Sequence, residues 1–102
     1  MAITALPGIL APAPAHADSN TVTFEVFGPG SVYTIDTDPG TDRVYEATLP
    51  WQRSITVGPD VKMFQVVAVG KDSPGPGCRI LIGAKQLVEQ PVGGPAHCIF
   101  TR

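Results

Sequence analysis

From residue 21 onward, apolar and polar residues alternate with a period of two, the spacing at which successive side chains leave opposite faces of a strand. Thr21-Val22-Thr23-Phe24-Glu25-Val26 places Val22, Phe24 and Val26 on one face and Thr21, Thr23 and Glu25 on the other. Gly28-Pro29-Gly30 ends that run. Ser31 to Asp36 reads as a second strand with Tyr33 and Ile35 on one side. The segment from Asp36 to Asp42 is a tight reversal, because Pro39 presets φ and Gly40 is free to take a positive one. Arg43 to Leu49 returns as the hairpin partner. Pro50 has no N–H to give a ladder, so the chain breaks or changes sheet there. Ser54 to Val57 is a short strand, and Gly58-Pro59-Asp60 turns again. Met63 to Val69 is the most continuously apolar strand, which predicts a central position with cover on both faces. Residues 70–77 are a loop rich in Gly and Pro. Cys78 to Ile82 is a strand with Cys78, Ile80 and Ile82 on one side, and Gly83-Ala84 turns it into Lys85 to Glu89. A loop from Pro91 to Pro95 leads to His97–Thr101, where Cys98 and Phe100 share a face.

No 3.6-residue period appears. Seven or eight short strands at this spacing predict an all-β fold, a β-sandwich or open barrel. The preferred form is a small antiparallel, immunoglobulin-like β-sandwich of about seven strands with one disulfide. Trp51 precedes both cysteines, so the Cys…Trp…Cys order of antibody domains is not met.

Cys78 and Cys98 each fall on the bulky apolar face of their strand, as an inward disulfide requires. A C-x-x-C pair, the arrangement that would favour metal or redox use, is absent. Closing the loop between the two would stabilise the fold by about 3 kcal/mol on chain-entropy grounds. Two buried free thiols are the alternative.

Residues 3–17 contain no Asp, Glu, Lys or Arg, and Ala15-His16-Ala17 has the small-x-small pattern of signal-peptidase cleavage. We read residues 1–17 as the remnant of a signal peptide and residues 18–102 as the domain. The alternative is an Ala/Pro arm that stays attached. No stretch reaches about 18 uninterrupted apolar residues, so no transmembrane helix is encoded. The expected location is secreted, periplasmic or in the cell envelope.

The chain of 102 residues has room for one domain. Seven Lys and Arg stand against nine Asp and Glu, a formal charge of −2, and the basic residues are scattered singly. That excludes the basic face nucleic acid needs and gives no polybasic anchor for anionic lipid.

Candidate chemistry is sparse. His97 adjoins Cys98, but neighbours in a strand point to opposite faces, and a bonded cysteine has no thiolate to offer. Asp36, Asp38 and Asp42 resemble a calcium loop only in part, since Pro39-Gly40 interrupts the ligand spacing; a polar hairpin turn accounts for them. Ser19, Ser31, Ser54 and Ser73 lack a nucleophile-elbow setting. Gly28-Pro29-Gly30 and Gly75-Pro76-Gly77 precede strands, so no helix N-terminus is there to cradle phosphate. No catalytic residue, metal ligand or cofactor is expected. Trp51, with Tyr33 and Tyr45, is a candidate aromatic interaction surface; a core or sheet-edge Trp is the plainer account.

Phe24-Glu25-Val26-Phe27-Gly28, Leu49-Pro50-Trp51, Cys78-Arg79-Ile80 with Gly83, and a closing His97-Cys98-Ile99-Phe100 resemble the MmpS family, over roughly residues 22–102. These are small mycobacterial membrane proteins, accessories to the MmpL exporters of lipids and siderophores. The resemblance implies an extracytoplasmic all-β domain with a Cys78–Cys98 disulfide and a non-catalytic role beside a transporter. Family members carry an N-terminal transmembrane helix, where this sequence shows only the signal-like remnant. Three functions follow as expectations: an accessory domain partnering an MmpL-type transporter, a secreted structural or interaction protein of the envelope, and a carrier holding an apolar ligand between its sheets.

Overall fold

The computed structural model describes residues 20–40 and 42–102. The signal-like segment 1–17 and Ser19 lie outside the described residues. Among the described residues, eight strands form two four-stranded antiparallel sheets, and none forms a helix long and apolar enough to cross a membrane. The strands are β1 (Thr21–Phe27), β2 (Ser31–Asp38), β3 (Val44–Thr48), β4 (Trp51–Thr56), β5 (Met63–Gly70), β6 (Gly77–Ile82), β7 (Lys85–Gln90) and β8 (Ala96–Thr101). Sheet A runs β4-β1-β6-β7 and sheet B runs β3-β2-β5-β8.

Turn chemistry separates the hairpins from the crossovers. The reversal around Pro39-Gly40 keeps β2 and β3 in one sheet, and Gly83-Ala84 does the same for β6 and β7. Every other connection switches sheets. Leu49-Pro50 is such a switch: β3 pairs with β2, whereas β4 pairs with β1. The proline cannot continue the ladder, as its sequence position predicts. β4 starts at Trp51, three residues before the predicted start.

Period-two alternation fills the space between the sheets. Val22, Phe24 and Val26 from β1 and Ile80 from β6 meet Val32 and Ile35 from β2 and Phe64 and Val66 from β5, all of them fully buried. Phe27 approaches the backbone of β6 so closely at Gly77 that a Cβ there would sit 2.7 Å from its ring. Only glycine admits that contact.

Cys78 on β6 and Cys98 on β8 are both fully buried and joined across the two sheets, with Cα atoms 6.1 Å apart. The bond ties an inner strand of sheet A to an edge strand of sheet B. A cross-link between sheets removes a relative motion that no backbone ladder restrains.

Two expectations change. Tyr33 and Ile35 do not share a side. The β2–β5 register shifts between Val32 and Thr34, so one extra residue, Tyr33, sits on β2 and the facing parity flips. Val32 before the bulge and Ile35 and Thr37 after it all point inward, and Tyr33 is left 52% exposed. β5 is interior in its sheet, as expected, but covered on one face only. Phe64, Val66 and Ala68 are buried, whereas Val69 on the other face is 51% exposed. A continuous apolar run is consistent with cover on both faces; here none of the described residues packs outside sheet B.

Candidate interaction surface

The outer faces of the two sheets are chemically different. On sheet A, Glu25, Arg79 and Glu89 stand side by side in register across β1, β6 and β7. Arg79 Nη1 donates to Glu25 Oε1 at 2.6 Å and its Nε to Glu89 Oε1 at 3.4 Å. The same guanidinium lies 4.7 Å from the centroid of Phe27. Farther along, the Thr23 and Ser54 hydroxyls hydrogen-bond at 2.8 Å between β1 and β4. This face is closed by its own polar pairs.

On sheet B the outward rows read Tyr45–Thr34–Val69, then Asp36–Val67–His97, then Asp38–Gln65–Ile99. Tyr33, Tyr45, Val69 and Ile99 are all about half exposed or more. Polar residues rim them. Arg43 Nε donates to Asp36 Oδ1 at 2.9 Å, and that carboxylate raises the Arg43 pKa. Lys71 pairs with Glu46 and stands 5.2 Å from the Tyr33 ring centroid. The hydrogen bond to Glu46 raises the Lys71 pKa, with the loss of hydration opposing it. His97 Nε2 lies 3.3 Å from Gln65 Oε1 on this same face. It points away from the core in which Cys98 is buried, so the adjacent pair in sequence is split between faces.

The predicted aromatic trio is therefore divided. Tyr33 and Tyr45 lie on sheet B, whereas Trp51 opens β4, an edge strand of sheet A, opposite Val26. Trp51 is half-buried and packs against the core, with the Arg53 guanidinium 5.3 Å from its ring centroid. Arg53 crosses between the sheets, its Nη1 donating to Thr37 Oγ1 at 3.4 Å and to the Asp42 carbonyl at 3.3 Å. A shallow cleft of about 290 Å³ opens beside Trp51, lined also by Phe27, Pro50, Gln52 and the Glu25–Arg79 pair.

Asp36, Asp38 and Asp42 are not drawn together: Asp36 is engaged by Arg43, and among the described residues no three His, Cys, Asp or Glu side chains gather in a metal-ligating group. Val69 and Ile99 were not singled out from the sequence. Strict alternation across β5 and β8 would have found them, because each flanks a buried residue of the core face.

The family profile described as Mycobacterium membrane protein matches residues 10–96. The chain belongs to this family of mycobacterial membrane proteins. The match agrees with the resemblance to MmpS proteins drawn from Phe24–Gly28, Leu49-Pro50-Trp51 and Cys78–Ile80. It runs through all of β1 to β7 and reaches the first residue of β8. The membrane-protein family thus carries, here, a disulfide-linked sandwich with one outer face closed by ion pairs and one that exposes Tyr33, Tyr45, Val69 and Ile99 among polar residues.

Proposed function

We propose that this chain is a non-catalytic accessory domain of the mycobacterial envelope. It is exported from the cytoplasm and docks against an MmpL-type exporter of lipids or siderophores. The supporting observation is the gathering of Tyr33, Tyr45 and Val69 on the outer face of sheet B, next to a sheet A face already satisfied by its own charges. An apolar patch with a polar rim is what a protein–protein contact uses: the centre gains from leaving water and the rim sets the register. Membership of a membrane-protein family gives that patch a setting.

The carrier reading has less support. The space between the sheets is occupied by Phe24, Phe64, Ile35 and Ile80, all fully buried, which a ligand would have to displace.

Crosslinking in the native host followed by purification tests the proposal. Recovery of a multi-span transporter of the RND type, reduced by Tyr45→Asp and Val69→Asp while the folded yield is unchanged, is the expected result. Recovery of other envelope proteins in its place would favour the structural role and defeat the exporter reading.

A further inference from the structure

We propose that β8 is a self-pairing edge, through which two copies of this chain join their B sheets into one. The inference does not rest on the transporter reading.

Each sheet ends in two edge strands, β4 and β7 for sheet A, β3 and β8 for sheet B. An edge strand carries a row of unpaired N–H and C=O groups, and folded proteins blunt it with charges, bulges or proline. β3 is blunted by Glu46, which takes a positive φ of 56° in mid-strand, and by Pro50 after it. β7 is blunted by a register shift against β6 and by Lys85 and Glu89. β4 follows Pro50 and carries Arg53. β8 is flanked by Pro95 and Arg102 but has no such feature within the strand itself. Ala96-His97-Cys98-Ile99-Phe100-Thr101 contains no Asp, Glu, Lys, Arg or Pro, and its register with β5 is unbroken from Ala96 to Thr101.

The register also fixes which backbone groups face outward. The Arg102 N–H donates to the Lys62 carbonyl at 2.8 Å, which continues the β5–β8 ladder by one pair. In an antiparallel ladder the bonded pairs alternate, so Phe100, Cys98 and Ala96 also turn their backbone groups to β5. Thr101, Ile99 and His97 turn theirs to the open edge. The His97 N–H is already given to the Pro95 carbonyl at 2.9 Å. Among the described residues, that leaves the N–H and C=O of Ile99 and Thr101 and the C=O of His97 without a backbone partner.

These groups are complementary to a rotated copy of themselves. A two-fold axis at Ile99 pairs Ile99 with its counterpart through reciprocal N–H to C=O bonds. On each side of it, the Thr101 N–H meets the His97 carbonyl of the other copy. The single blocked donor, His97 N–H, costs only the outermost bonds. Side chains agree with this register. Ile99, 47% exposed in the single chain, packs on its own counterpart on the outer face, and His97 lies opposite Thr101. A two-fold contact sets only the residue on its axis against its own copy and pairs the others reciprocally, so the uncharged β8 brings no like charges together across it.

Sedimentation equilibrium on the full chain over about a hundredfold range of concentration is the test, since self-association follows mass action. The expected result is a rise in mass towards twice the monomer, with amide exchange slowed at Ile99 and Thr101 and unchanged at Ser54 on β4. Ile99→Lys, which opposes two ammonium groups across the axis, should abolish the rise while the far-ultraviolet circular dichroism and the disulfide remain. Ser54→Lys should leave it intact. A chain that stays monomeric throughout, a dimer that survives Ile99→Lys, or β8 protection seen only with a foreign extended peptide would each overturn self-pairing.

Discussion

Seen from between the sheets, A and B are alike: each sends alternate residues inward, with Phe24 answered by Phe64 and Val26 by Val66, and the disulfide joins them. Seen from outside, they part. Sheet A presents Glu25, Arg79 and Glu89 in a ladder of ion pairs, and sheet B presents Tyr33, Tyr45, Val69 and Ile99. A fold of this size needs its inner faces apolar and makes no demand on the outer ones beyond solubility. The difference between the outer faces is therefore where function can be written. It also separates what a substitution does to stability from what it does to association.

The strongest way to break the symmetry of the interior is to empty one half of it. Phe24→Ala and Phe64→Ala should each cost about 3–5 kcal/mol, read as the midpoint of denaturant unfolding. Near-equal losses would confirm that both sheets feed one core. Removing the bond between them comes next. Cys78→Ala with Cys98→Ala should cost about 3 kcal/mol, checked by thermal unfolding beside the oxidised chain. Smaller again is the ladder of sheet A, where Arg79→Ala should cost about 1 kcal/mol because the pairs are partly exposed. That loss should shrink in high salt, which would be measured by repeating the unfolding curve. On sheet B, Tyr45→Ser and Val69→Thr should change stability by less than about 0.5 kcal/mol yet lower the recovery of a crosslinked partner. A large stability loss there would mean the face is structural.

The smallest effect is in alkali. Lys71 has its pKa raised by Glu46, so the pair favours the fold fully below the ordinary lysine range. That contribution is lost as pH climbs through the raised value. Comparing unfolding of the parent with Lys71→Met at neutral and strongly alkaline pH reads it out: any gap between them should close as the pH rises.

Much of this was legible in the residues. The alternation at Thr21–Val26 placed β1 with the correct face inward, and the parity of Cys78 and Cys98 placed both sulfurs in the core. Pro50 marked the change of sheet. Tyr33 was misplaced because a bulge is one extra residue in an otherwise regular strand, and no local residue type announces it there. The apolar run Met63–Val69 suggests cover on both faces, but such a run does not say what lies outside it. Arg53 could not be foreseen at all, since it reaches Thr37 on the opposite sheet and the Asp42 carbonyl in the connection between β2 and β3. The aromatic trio is divided for the same reason: Tyr33 and Tyr45 stand on sheet B, whereas Trp51 stands on sheet A.

By itself the sequence determined the class of fold, the turns, and which side of most strands is apolar, because these follow from period-two spacing and from what Pro and Gly permit within a few residues. Only the tertiary structure decided which strands neighbour one another, where the register slips, which outer face is left apolar, and that β8 forms an edge. Those depend on contacts between segments far apart in the chain, where the identity of one partner says little about the other until both are in place.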